Sequence, residues 1–255
     1  MRIGFDIRVL STGKITGVEE YTLELAKHLV LHDRENTYAF YYNATSLALD
    51  SYFRDKEVVQ STIPNKILDL ALKFTSRPYL DELTRCDIFF SPHFLLTSLK
   101  SAPRILTIHD LSFVRFPEFF SLKHHFWLRV MEIKKQIKKA DTIVVPSDCT
   151  KNDLMTLFDI PERKIQRIYH GINTIFEKRY EEEELAQFKV THGLPEQYIL
   201  YLGTIEPRKN ITTLIKAAEL LFEEFPHISL VLAGNLGWLF EQCLRAINTS
   251  KYRDR

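Results

Sequence analysis

The chain has 255 residues, 45% of them hydrophobic, enough to bury a sizeable core in one large domain or two small ones. Its 34 Lys and Arg nearly balance 33 Asp and Glu, so whole-chain charge attracts no polyanion and no nucleic-acid partner is expected. Cys86, Cys149 and Cys243 are odd in number, widely spaced and without a CxxC pair, which argues against a disulfide framework or a zinc site and for a reducing, cytoplasmic compartment.

Met1 leads directly into RIGFDIRVL, a strand-like run with the wrong length and flanks for a signal peptide. No apolar stretch reaches the roughly 18 residues that cross a bilayer, so a soluble or peripherally attached protein is expected. Short β-branched and aromatic runs predict strands at residues 3–9, 37–42, 88–91, 104–109, 142–146 and 164–169. Apolar residues at helical spacing predict helices at 17–32, 122–140 and 150–158. This alternation predicts an α/β fold with a parallel sheet and helices on both faces. The acidic stretch 177–187, with a glutamate run at Glu181 to Glu184, lacks a strand pattern and reads as an exposed connecting helix. Beyond it a second strand, loop, helix, strand unit starts, with strands at 198–203 and 228–233 and helices at 211–225 and 238–247. Fewer than 80 residues follow Glu177, whereas such domains usually take about 100–150. The expected organisation is therefore a complete domain at 1–176 and a linker with a truncated second domain at 177–255.

In open parallel sheets ligands collect at the carboxyl ends of strands, where loops and helix amino termini converge. The loop after the first strand, RVLSTGKITG at 8–17, offers Gly13 and Gly17 before a helix; it is not GxGxxG, and glycines used only for turning are an equal reading. The fourth strand runs into His109 and Asp110. A carboxylate beside the imidazole suits polar substrate work, and a histidine satisfying a loop carbonyl is the even alternative. In YLGTIEPRKNITTLIKAAELL, a strand ends at Gly203, then Thr204, Glu206, Arg208 and Lys209 precede a helix that Asn210 or its neighbour caps. Two cations beside a helix amino terminus form a focused anion site; a solvent-facing basic pair is the alternative. VLAGN places Gly234 and Asn235 at the same kind of rim.

Ser147, Asp148 and Thr150 follow another strand in a pattern that helix capping explains. His170, Gly171 and Asn173 sit where a turn into the second domain is expected. The stretch 122–140 is basic, with Lys123, Arg129, Lys134, Lys135, Lys138 and Lys139 among Phe126, Trp127, Val130, Ile133 and Ile137. It reads either as a helix packed on the sheet with a solvated basic face or as a peripheral contact with anionic lipid at the inner face of the membrane.

Taken in order, GFDIRVLSTGKITGVEEYTLELAKHL, TIHDLSFVRFPE, VVPSDCTKNDL, IYHGIN, YLGTIEPRKNI and LVLAGN resemble glycosyltransferase family 4 over nearly the whole chain, and within it bacterial mannosyltransferases of surface polysaccharide. The resemblance implies the GT-B architecture: two Rossmann-like domains, the first binding acceptor and the second binding nucleotide-sugar donor. It implies a retaining transfer of a hexosyl unit, mannosyl from GDP-mannose, to a glycan or lipid-linked oligosaccharide acceptor. On this resemblance Arg208 and Lys209 hold the donor diphosphate in place of a metal, with no cofactor required. His109 approaches the donor sugar, Gly17 belongs to the loop that closes over the diphosphate, and Gly203, Thr204, Glu206 and Asn235 complete the donor side. Family members often carry arginine where Thr204 stands. Their paired glutamates of the later second domain have no counterpart before Arg255, so little transfer by this chain alone is expected. A non-catalytic fragment that binds an acceptor or partner is the second reading. A dehydrogenase-type epimerase would need a glycine fingerprint that the first loop lacks.

Overall fold

A computed structural model describes residues 1–13, 16–44 and 49–255, and within it the chain divides into two units, residues 1–115 with 123–173 and residues 116–122 with 174–255. The first unit holds seven parallel strands: β1 (Arg2–Asp6), β2 (Thr37–Asn43), β3 (Val58–Ser61), β4 (Ile88–Ser91), β5 (Arg104–Thr107), β6 (Thr142–Val145) and β7 (Ile165–Arg167). Their spatial order is β3-β2-β1-β4-β5-β6-β7. The helices are α1 (Gly17–His32), α2 (Asn65–Thr75), α3 (Leu80–Thr84), α4 (Ser112–Arg115), α5 (Leu122–Val130), α6 (Ile133–Lys139) and α7 (Asp148–Phe158).

Crossovers between parallel strands are right-handed. The step from β1 to β2 runs one way along the sheet, whereas β3 to β4, β5 to β6 and β6 to β7 run the other. Handedness therefore puts α1 on one face and α2, α3, α5, α6 and α7 on the opposite face. On the well-covered face Phe89, Leu106, Ile143 and Val145 are fully buried, each worth about 1.5–3 kcal/mol of burial. On the other face α1 lays Leu23 and Ala26 over Phe5 and Phe40. Beyond the reach of α1, Ile88, Phe90, Ile105 and Val144 are half-buried and line an apolar cavity of about 750 Å³ with Leu25 and Leu29.

Local chemistry sets the ends of these elements. Thr16 and Glu19 form a capping box that starts α1. Ser147 accepts the Thr150 N–H at 3.1 Å and starts α7, so capping does account for that motif. Several boundaries differ from the sequence expectation. The first strand stops at Asp6 and Arg8–Thr12 forms a 3-10 helix, because the Arg8 side chain folds back on Asp6. The predicted helix 122–140 is two helices. Glu132 takes a left-handed conformation, φ 47°, between buried Met131 and Ile133, and a left-handed residue ends a helical hydrogen-bond ladder. β3, α2, α3 and α4 carried no expectation.

The second unit contains α8 (Glu182–Thr191), β8 (Gln197–Leu202), α9 (Ile211–Glu224), β9 (Ile228–Ala233) and α10 (Glu241–Thr249). α8 is exposed along its length, as the acidic pattern implied. β8 and β9 pair in parallel from Gln197↔Ile228 to Leu202↔Ala233. A small core of Ile205, Ile211, Ile215 and Cys243 gathers Tyr201, Leu230, Leu232 and Phe240 on one face of this pair. The Trp238 indole donates to the Phe119 carbonyl at 3.1 Å, tying residues 116–122 to this unit.

Candidate functional site

At the carboxyl ends of the first unit's strands, aromatic and imidazole rings converge. His109 follows β5, His93 follows β4, His170 follows β7, and Tyr21 reaches in from the first turns of α1. The Tyr21 ring lies 4.8 Å from His109 edge-on and 4.7 Å from His170. His93 and His170 stand 6.1 Å and 5.6 Å from His109. The Tyr21 hydroxyl meets Thr107 Oγ1 at 3.2 Å, and Asn173 Nδ2 donates to Glu20 at 2.6 Å. Gly17, one turn before Tyr21, lines the same hollow with His170. Of the loop 8–17, Lys14 and Ile15 lie outside the described residues.

The His109 ring has a defined polarity. Its Nε2 is 2.9 Å from the Pro92 carbonyl oxygen; a carbonyl only accepts, so Nε2 carries the proton and Nδ1 is left as an acceptor. Burial holds this imidazole below its ordinary pKa, and the Pro92 carbonyl only partly opposes that, so the ring is neutral near pH 7. Asp110 does not orient it. That carboxylate accepts from the Ser112 N–H and hydroxyl at 3.0 and 2.7 Å, opening α4. The His109 Nε2 thus satisfies a loop carbonyl, while Nδ1 remains available to a ligand. Burial, reinforced by His109, pushes His93 down to about 3, and its Nδ1 is a buried atom without a hydrogen-bond partner. Beneath these rings Arg8 pairs with Asp6 at 2.6 Å, both nearly inaccessible, and donates to the Leu96 carbonyl at 2.9 Å. The pair thus ties the loop after β1 to the loop after β4.

In the second unit the residues expected at the donor side meet at one edge. Gly203 and Gly234 end β8 and β9 with φ of 155° and 149°, in a region L side chains rarely enter. A Cβ on Gly234 would fall 2.0 Å from the Gly203 carbonyl oxygen, so the two loops touch backbone to backbone. Ile205 N–H donates to the Asn235 carbonyl at 2.9 Å, and Gly237 N–H returns to Ile205 at 2.9 Å. Thr204 and Asn235 are exposed on this rim. Pro207–Lys209 forms a 3-10 turn, then left-handed Asn210 leads into α9. Asn210 makes no side-chain cap to the backbone; its Oδ1 accepts from the Thr213 hydroxyl at 2.8 Å. The two cations are unequal. Arg208 is held by Glu206 at 2.7 Å, while Lys209 is exposed beside the amino end of α9. Glu206 thus directs the guanidinium and offsets its charge.

His109 and Gly17 belong to the first unit and the remaining expected site residues to the second. Tyr21 and His93 had carried no expectation. The rule that strand ends hold ligands would have found His93 in the SPHF run after β4; Tyr21 becomes visible only once α1 is placed against the strand ends.

The two-unit parallel build, with strands running into glycine loops, is that of a two-domain Rossmann-like α/β protein. Residues 15–176 match Glycosyltransferase Family 4, and residues 182–250 match Glycosyl transferases group 1. The chain belongs to Glycosyltransferase Family 4. It is 25% identical over 244 residues to the O-antigen chain mannosyltransferase B of Escherichia coli, covering 88% of this chain and 62% of that protein. Among solved structures it resembles Anabaena HepE in complex with UDP-glucose, with a TM-score of 0.61, 16% identity, and 97% and 65% of the two chains covered. The sucrose-phosphate synthase of Thermosynechococcus elongatus gives a TM-score of 0.66 at 16% identity over 100% and 69%. These likenesses establish a GT-B fold, and the chain spans 62% of the length of the E. coli mannosyltransferase and 65% and 69% of the two solved chains. Among the described residues no helix is long and apolar enough to cross a membrane.

Proposed function

We propose that this chain carries acceptor-side and donor-side elements of a retaining transferase that moves a mannosyl unit from GDP-mannose to a glycan or lipid-linked acceptor in surface polysaccharide synthesis. Residues 1–176 form the acceptor-side domain and 177–255 the linker with part of the donor-side domain. The observation that carries this reading is the rim at Gly203, Thr204, Glu206, Arg208, Lys209, Gly234 and Asn235. There two glycine loops touch, and the same strand end leads through an exposed lysine into a helix amino terminus. The mannosyl preference and the polysaccharide role draw support from the E. coli relative.

Transfer requires stabilising the charge that develops on the leaving diphosphate, which fixed cations do without reorganising. Lys209 and the α9 amino terminus supply that field directly. Arg208 joins when a phosphate oxygen replaces Glu206 as its partner, so Glu206 keeps the guanidinium placed while the site is empty of anion. His109, neutral with Nδ1 accepting, takes a hydrogen bond from a sugar hydroxyl and fixes the sugar's orientation. Gly17, the first residue of α1, is assigned to the diphosphate side on the family resemblance. No enzymic nucleophile is assigned.

Calorimetric titration with GDP-mannose, UDP-glucose and GDP tests the reading. Binding of GDP-mannose that Lys209→Ala weakens about tenfold, the worth of one charge-assisted contact, supports it; binding of none of the three overturns it. Glu206→Gln is expected to tighten GDP by releasing Arg208. A second reading, a non-catalytic fragment that binds an acceptor or partner, is favoured by the Arg208–Glu206 pair, which leaves one uncommitted cation of the two. It predicts no thermal stabilisation by any nucleotide. Peripheral membrane contact belongs to the first reading; the lysines of the stretch 122–140 that support it lie mostly on α6.

A further inference from the structure

We propose that the cleft between the loop 97–102 and α6 binds a small phosphate, either inorganic phosphate or a phosphate monoester no larger than a sugar phosphate. The cleft holds about 240 Å³, and Thr97, Arg104, Lys135, Gln136 and Lys139 line it. That volume suits one phosphoryl group with a small substituent and falls short of the roughly 300–1,000 Å³ of pockets for larger ligands. All of these residues belong to the first unit, so the site does not depend on the donor reading.

Arg104 is 4% exposed, and every acceptor of its guanidinium is neutral. Nε donates to Ser91 Oγ at 3.0 Å, Nη1 to the Gln136 side-chain oxygen, and Nη2 to Thr97 Oγ1 at 3.1 Å and the Leu95 carbonyl at 3.3 Å. Arg8, also buried, reaches the same Thr97 hydroxyl at 3.2 Å. Two buried guanidiniums therefore meet at one hydroxyl, and Asp6, paired with Arg8 at 2.6 Å, is the carboxylate that acts on both. Asp69 acts on Arg8 more weakly, and burial disfavours its charge. Burial lowers the pKa of Arg104, yet an arginine stays cationic near pH 7. Hydrogen bonds to neutral groups satisfy its N–H groups but leave its charge uncompensated, and such a charge favours an anion. A guanidinium has one N–H more than these acceptors take, and here it lies on Nη1, the nitrogen bonded to the cleft residue Gln136. At the mouth Lys139 is exposed and enters no ion pair among the described residues. Carboxylates lining the cleft are engaged: Glu132 holds Lys135 at 3.1 Å, and Asp141 accepts the Arg104 backbone N–H at 2.8 Å.

Thermal unfolding followed by tryptophan emission tests it, in inorganic phosphate, in glucose 1-phosphate and in chloride of matched ionic strength. The chain carries Lys209→Ala throughout, so that the exposed cation of the second unit does not contribute. Both phosphates are expected to raise the midpoint saturably, and chloride is not. Tighter binding of glucose 1-phosphate points to a monoester as the ligand and tighter binding of inorganic phosphate to the free ion, and either order supports the site. Lys139→Gln should weaken the effect about threefold, as suits an exposed charge, and Arg104→Met should abolish it. The Arg104 Nε–H resonance in two-dimensional NMR should move on phosphate addition, a readout that leaves the core intact should Arg104→Met fail to fold. No rise beyond that in chloride, a rise that Lys139→Gln leaves unaltered, or an Arg104 resonance that phosphate does not move overturns the proposal.

Discussion

Leu106 and Leu202 are both leucines of parallel strands, yet Leu106 in β5 is 0% exposed and Leu202 in β8 is 73% exposed. The difference lies in the layers around them rather than in the strands. β5 is an inner strand of seven, with helices packed behind it. β8 belongs to a pair with α9 and α10 on one face, and Leu200 and Leu202 look outward from the other. A lone strand pair is marginal without further cover. The same α/β pattern thus buries a strand leucine in one region and leaves one exposed in the other. The two tryptophans fall one in each unit, Trp127 and Trp238, so single-tryptophan variants report each region separately.

The sharpest way to unsettle the contrast is to attack the first unit's buried charge. Asp6→Ala leaves Arg8 inside without its carboxylate and is expected to cost about 3–5 kcal/mol, read as a fall in the Trp127 denaturation midpoint with Trp238 little changed. Leu106→Ala should cost about 2–5 kcal/mol by opening a cavity, while Leu202→Ala stays within about 0.5 kcal/mol; equal costs in urea titrations would erase the distinction. Gly234→Ala probes the second unit where it is tight. The added carbon meets the Gly203 carbonyl at 2.0 Å with φ at +149°, and a loss of about 1–3 kcal/mol in the Trp238 transition is expected.

The smallest effect is on acidification. The folded pKa of His93 lies near 3, below the ordinary 6.5, so between those values the unfolded chain binds the proton that the folded chain refuses. Its contribution to stability is complete above about 6.5 and is lost as pH falls toward 3. His109 and His170, also lowered by burial, act in the same direction. His192 and His227 of the second unit are exposed. The Trp127 midpoint should therefore decline on acidification before the Trp238 midpoint does; an imidazole NMR titration of His93 near 6.5 would remove the basis for that order.

Much of this organisation is written locally. α1 occupies Gly17–His32 as predicted because cap and periodicity agree at both ends, and β4 and β9 also keep their expected bounds. α2 was missed because its apolar residues fall on two faces, Leu68 and Leu72 inward and Ile67, Leu70 and Phe74 outward, which blurs a one-sided period. β3 is a four-residue edge strand, too short to stand out. The break at Glu132 has no glycine or proline to announce it.

At the candidate site the residue types were legible and the pairings were not. Strand-end position alone pointed to His109, Arg208, Lys209 and Asn235, since ligand-bearing loops follow strands in any parallel sheet. That Pro92 rather than Asp110 sets the His109 proton, and that Glu206 claims Arg208, depends on where loops far apart or folded back on themselves come to rest. Sequence dictated the alternating elements, their amphipathic faces and the chemistry of the strand ends, because these follow from neighbours a few residues away. Tertiary structure decided which faces are covered, which cation stays uncommitted and which imidazoles are kept neutral, because burial and partner choice are set by chain segments brought together only when the sheet closes.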